Sequence, residues 1–258
     1  MTPDAPFPVD AAAASAGSWL EEFHSFTLFH LVTVAVCAMV MIGICLLGRR
    51  WADTARERRL RIGWCAAIVL WQGFAVVWWL LPSNYELGRS LPLHVCDAAA
   101  WIAPFALLTK SKWLRTLLYF WGLGLSTQAF FTPVLEHGAG HLRYWLFWIG
   151  HTQIVGSALY DLIARGYRPV FADYIRVSVA NAVYAGLLIP FNILLGVNYG
   201  YLGDATPDRD TLINALGPWP HRLILMWLIV QIGMLIMWLV WPVAERMRGV
   251  MRGRGEAN

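Results

Sequence analysis

Residues 25–48 read SFTLFHLVTVAVCAMVMIGICLLG, and residues 49–61 read RRWADTARERRLR. The first stretch has no Asp, Glu, Lys or Arg and is long enough to cross a hydrocarbon layer about 30 Å thick as a helix. The second holds six arginines, the kind of cluster that stays on the cytoplasmic side of a membrane. Together they predict an all-α membrane protein whose first helix runs inward.

The rest of the chain extends that pattern. Of 258 residues, 58% are hydrophobic, only 14% are charged and 15 are Trp. With a mean hydropathy of +0.52, that is far more apolar surface than a soluble domain of this length can bury. Apolar runs predict seven transmembrane helices at roughly 25–48, 61–82, 91–109, 113–132, 143–164, 174–197 and 221–243. No Pro/Gly/Ser linker and no repeat of fixed period divides them, so one polytopic helix bundle over 25–243 is expected. A short extracytoplasmic tail (1–24) precedes it and a basic cytoplasmic tail (244–258) follows. The N-terminal stretch MTPDAPFPVD lacks a basic n-region and does not read as a cleavable signal peptide.

Counting Lys and Arg over alternate connections gives 16 on one side and 4 on the other. The split predicts an N-terminus outside and a C-terminus in the cytoplasm. It also accounts for the net charge of +4 as basic loops beside an anionic leaflet, with no nucleic-acid partner.

Cys37, Cys45, Cys65 and Cys96 lie in apolar runs without CxxC spacing, which indicates neither a disulfide framework nor a zinc site. The first three read as small buried hydrophobes. Cys96 belongs to LPLHVCDAAAW (91–101), a span that opens with His94, Cys96 and Asp97 in its first turns. Such groups are costly in hydrocarbon and point to a functional interior. Cys96 lies roughly 8 Å below the start of its span, and His151, in RYWLFWIGHTQ, roughly 12 Å below the start of its own. Both are in the outer half of the bilayer. A thiol beside an imidazole is a means of making a nucleophile, so His151 is the expected base for Cys96. On one continuous helix His94 and Cys96 would face nearly opposite ways, while His94 and Asp97 share a face. Gln128, Asn192 and Asn198 fall near the same outer level. Gln128 and Asn192 are candidate donors to an oxyanion, and Asn198 a support for the outer loop. His137 and His141 have an i, i+4 spacing that could suit a metal, but two intervening glycines argue against the helix it needs, so no metal is expected.

The longest loop, NYGYLGDATPDRDTLINALGPWPHR (198–222), is rich in Gly and Pro and predicts turns. Its aromatic residues suit a lid over 198–220.

The motifs LPLHVCDAAAWIAPFALLT, GHTQIVGSALY and NYGYL…LGPWP, in this order from about residue 85 to 225, resemble the bacterial YwaF-like integral membrane proteins, which are similar to the eukaryotic transmembrane protein 164 acyltransferases. The resemblance implies a Cys–His phospholipid acyltransferase of the bacterial inner membrane. Its nucleophile falls on Cys96 and its histidine on His151. Phospholipid and lysophospholipid are the implied substrates, with no cofactor. After GPWP this chain has His221 and Arg222, where the family pattern leads one to expect aromatic residues. Three other readings stay open: a transporter or lipid-binding module without covalent chemistry, a phospholipase if water is the acceptor, and a partner subunit with no chemistry. A transporter is disfavoured by the lack of an inverted repeat.

Overall fold

The computed structural model describes residues 19–204 and 213–255. The tail before residue 19, the middle of the expected lid (205–212) and the last three residues lie outside the described residues. Helix α1 (Leu28–Arg50) starts at Thr27, whose hydroxyl accepts the His30 N–H, and α2 (Ala55–Leu80) at Thr54, which accepts that of Glu57. Then follow α3 (Val95–Leu108), α4 (Lys112–Leu117), α5 (Leu142–Ile163), α6 (Phe171–Leu195) and α7 (His221–Gly255). Helix α4 runs on as a π-helix over Leu118–Leu125 and a 3₁₀ turn over Ser126–Phe130. The described residues form no strand beyond an isolated bridge between Glu22 and His137.

Four helices are long and apolar enough to cross a membrane: α1, α2, α6 and the Leu-rich stretch His221–Met247 of α7. Their outer faces display Leu31, Met39, Leu70, Leu187 and Ile224 to the surroundings. So wide an apolar shell has no place in water and requires lipid.

The inner elements depart from the expected pattern of equivalent spans. Helix α3 has 14 residues, about 21 Å of rise, too short to cross alone. It begins four residues later than the apolar run does. The reason is tertiary: the Leu91 N–H donates to the Tyr199 hydroxyl at 3.0 Å, and the Leu93 carbonyl accepts from Tyr184 at 2.7 Å. These bonds hold 91–94 in a bent, non-helical path closed by the Leu93 N–H on the Leu91 carbonyl at 2.8 Å, and Pro92 within it has no N–H to give. The fourth run becomes π-helical around Gly122 and Gly124. At Gly124 a Cβ would stand 2.8 Å from the Met237 sulfur, so α7 packs on bare backbone there. Helix α5 is the central post. It buries residues on nearly every side, including Thr152, Gln153, Ser157 and Asp161.

The bundle has two chemically distinct ends. At one, Arg115 Nε donates to both Asp161 oxygens at 3.0 and 2.8 Å, and Arg165 reaches the same carboxylate. There Arg61 holds Glu57 at 2.8 Å and donates to the Leu107 carbonyl at 2.9 Å, while Lys112 pairs with buried Asp173 at 3.4 Å. Three of the basic connections thus converge. Removing one member of a buried ion network strands its partners. Asp161→Ala, which leaves Arg115 and Arg165 uncompensated, is expected to cost about 3–5 kcal/mol, read as a drop in the heat tolerance of detergent-solubilised protein. At the other end, Arg143 meets Glu86 at 2.6 Å, and Tyr199 ties the 87–91 segment to the loop after α6. A large cavity opens at this second end.

Candidate active site

The cavity has a volume of about 1290 Å³ and is walled by side chains from α2, α3, α5, α6 and α7. Cys96, His151, His94, Asp97, Gln128 and Asn198 all line it. Asn192 does not.

Cys96 is the second residue of α3, one turn closer to the helix start than the apolar run implies. The backbone N–H groups of Cys96 itself and Asp97 are within electrostatic reach of its sulfur, as is the Asp97 carboxylate. First-turn amides have no intrahelical acceptor and carry the positive end of the helix dipole, so they face a developing thiolate with the right sign. Cys96 is half-buried, whereas Cys37, Cys45 and Cys65 are buried away from the cavity.

His151 stands on α5. Its Nδ1 is 2.8 Å from the Phe147 carbonyl, one helical turn back, and the Phe147 ring packs on the imidazole with centroids 4.4 Å apart. A carbonyl only accepts, so Nδ1 carries the proton and the neutral ring presents its lone pair at Nε2. That is the tautomer a general base requires.

His94 behaves differently from the helical-wheel expectation. It is the residue before α3, with φ −70° and ψ 154°, and so is not part of the helix at all. Extended backbone there turns its ring into the same cavity as Cys96, instead of the opposite way. Its partnership with Asp97 is through the backbone: the His94 N–H donates to Asp97 Oδ2 at 3.0 Å. Asp97 is thereby a first-turn capping carboxylate, the usual place for an acid at a helix start.

The outer loop is anchored by amides. Asn192 is fully buried, accepts the Tyr199 N–H at 2.9 Å and donates to the Tyr199 carbonyl at 2.8 Å. Both ends of its amide are bonded to the loop and it lies outside the cavity lining, so it holds the loop and does not face a substrate. Asn198 accepts the Gly203 N–H at 2.9 Å and closes the next turn. Gln128 is exposed at the rim, facing Thr132 at 3.5 Å, and stands at the entrance more than beside the sulfur. Arg222, the departure from the aromatic pattern, is buried and donates to the Gly203 carbonyl. It pins the loop from the α7 side. Trp219 donates to the Leu202 carbonyl at 3.2 Å. Gly200 has φ +64°, and a Cβ there would meet the Tyr184 hydroxyl at 2.8 Å, so no larger residue fits.

Three cavity residues escape a motif-based reading. Tyr184 on α6 and Tyr201 in the loop are within electrostatic reach of Cys96. Burial pushes the Tyr201 phenol up to about 12, which keeps it neutral. Gln72, on α2, lies beside Gly150 and lines the same cavity as His151. Gln72 did carry a signal, a polar residue in the middle of an apolar span. The two tyrosines did not, because aromatic residues are ordinary packing in such helices. His137 and His141 face each other at 5.1 Å, and His141 pairs with Glu21 at 3.3 Å. No group of three or more His, Cys, Asp or Glu among the described residues has the arrangement to hold a metal ion.

A comparison with protein-family models matches residues 25–241 to the TMEM164 family. No match was found among curated proteins or among solved structures.

Proposed function

Since the chain belongs to the TMEM164 family, we propose that it is a membrane acyltransferase that moves a fatty acyl chain between phospholipids through a thioester on Cys96. The observation that carries this reading is the locked tautomer of His151: Nδ1 is bound to the Phe147 carbonyl, and the Nε2 lone pair is free for the cavity that Cys96 lines.

The chemistry has two balanced halves. His151 Nε2 takes the Cys96 proton, and the sulfur adds to the ester carbonyl of a phospholipid. The tetrahedral oxyanion collapses, the C–O bond breaks, and the leaving alkoxide takes the proton back from His151 as lysophospholipid departs. In the second half, the hydroxyl of an acceptor lysophospholipid gives its proton to His151 and attacks the thioester. Thiolate leaves and is reprotonated. No oxidant, nucleotide or metal enters the balance.

Supporting the lipid substrate are the apolar outer shell and the volume of the cavity, which suits a ligand with long chains. We read the bundle as seven crossings, with α3, the π-helical run and α5 spanning by virtue of their helical neighbours. The cavity end faces outward, and the basic end faces the cytoplasm of a bacterial inner membrane. The distribution of 16 of the 20 Lys and Arg supports that orientation.

The direct test is the mass of the Cys96 peptide from protein purified with native lipid. An acyl adduct removed by hydroxylamine, and greatly reduced in His151→Ala, is expected. A Cys96 that stays unmodified in phospholipid vesicles of several compositions overturns the thioester.

A further inference from the structure

A thioester mechanism needs a donor aimed at the oxyanion that forms when sulfur adds to the ester, and the two amides expected for that task are placed elsewhere. Asn192 is spent on Tyr199, and Gln128 stands at the rim. Two further polar side chains of the wall are committed too. Tyr184 donates to the Leu93 carbonyl at 2.7 Å, and Asn181 is bonded to the Trp121 indole at 2.8 Å.

His94 is held in the complementary state. The Gly200 N–H points at His94 Nδ1 at 3.3 Å. A backbone N–H can only donate, so Nδ1 is the acceptor and the ring is neutral with its proton on Nε2. The ring is gripped between Tyr199 and Tyr201, with centroids 5.1 and 6.0 Å away. The cavity therefore contains two neutral imidazoles of opposite tautomer, near enough to interact electrostatically. His151 presents a lone pair and His94 an N–H, with Cys96 two residues after His94 at the start of α3.

We infer that His94 is a further catalytic residue, whose Nε2–H donates to the ester carbonyl oxygen as it becomes the oxyanion, while the Gly200 N–H fixes the tautomer that makes this possible. The inference rests on the thioester reading. It assigns the NYGYL loop a chemical purpose: Gly200 is placed by the Asn192 clamp on Tyr199, and through its N–H the loop sets which nitrogen of His94 carries the proton. The bond balance is unchanged, because the donor keeps its proton and is released when the oxyanion collapses.

Two substitutions separate donation from scaffolding. His94→Gln puts an N–H near the Nε2 position but loses the acceptor for Gly200. His94→Asn keeps an acceptor near the Nδ1 position but loses the distal N–H. The rate of Cys96 acylation by p-nitrophenyl decanoate in detergent micelles, followed by nitrophenolate release and peptide mass, requires the oxyanion. The rate of Cys96 alkylation by iodoacetamide requires the thiolate alone. In His94→Asn and His94→Ala, acylation is expected to fall about 100–1000-fold with alkylation changed less than about threefold, and His94→Gln should retain clearly more acylation than His94→Asn. Equal losses of acylation and alkylation, or His94→Asn outperforming His94→Gln, would make His94 a loop anchor and overturn the assignment. So would unaltered acylation in His94→Ala. Failure of the thioester reading looks different: the wild-type protein itself then forms no acyl-Cys96.

Discussion

Replacing Cys96 by serine is expected to lower acyl transfer by about three orders of magnitude or more, with little change in heat tolerance. Serine keeps the small polar shape at the second position of α3 and disturbs none of the bonds around it. What it removes is the thiol, the group that His151 is proposed to ionise. An alkoxide is far harder to form than a thiolate, so a neutral imidazole that serves as base for sulfur does not serve equally for oxygen. The measurement is transfer of a labelled acyl chain from phospholipid to lysophospholipid in proteoliposomes. His151→Ala should lose about 100–10,000-fold, the usual range for a general base. Its loss should not multiply with that of Cys96→Ser, because the two groups act as one unit. A Cys96→Ser protein within tenfold of wild type would remove the covalent mechanism and favour a transporter or lipid-binding module. Labelled fatty acid released instead of transferred would keep the site and make water the acceptor.

Replacing Asn192 by leucine is expected to be the most damaging single change to the site's architecture. The amide satisfies both the N–H and the carbonyl of Tyr199 where both residues are fully buried. Leucine matches its volume but leaves two buried backbone groups unpaired, at about 1–3 kcal/mol each. The damage spreads along a short chain of contacts. Tyr199 no longer seats its hydroxyl between Leu87 and Leu91, the 91–94 segment loses its anchor, and Gly200 no longer faces His94. The protein should therefore lose heat tolerance and acylation together. Addition of phospholipid should restore heat tolerance less than it does for wild type. Asn192→Leu with wild-type acylation would show that the loop's remaining bonds, those of Asn198, Arg222 and Trp219 among them, hold it without the clamp.

The membrane bundle was legible because lipid imposes a simple rule on a one-dimensional string: long apolar runs must be helices. The run at 25–48, with six arginines behind it, already implies one. Helix boundaries in the interior were not legible in the same way. Nothing in LPLHVCDAAAW distinguishes a helix starting at Leu91 from one starting at Val95. That choice depends on Tyr184 and Tyr199, which arrive from about 90 and 108 residues further along. The error in the start reversed the side to which His94 points relative to Cys96.

By itself, then, the sequence determined that this is an apolar helical protein with its basic residues concentrated in alternate connections, and which thiol and imidazole lie at a common depth. Both follow from period and hydropathy, which are local. Only the tertiary structure decided which nitrogen of each histidine carries a proton, that Asn192 clamps the loop and leaves the cavity, and that Cys96 sits in the first turn of its helix. Each of these depends on a hydrogen-bond partner supplied from elsewhere in the chain, and such partners are specified by packing, not by spacing.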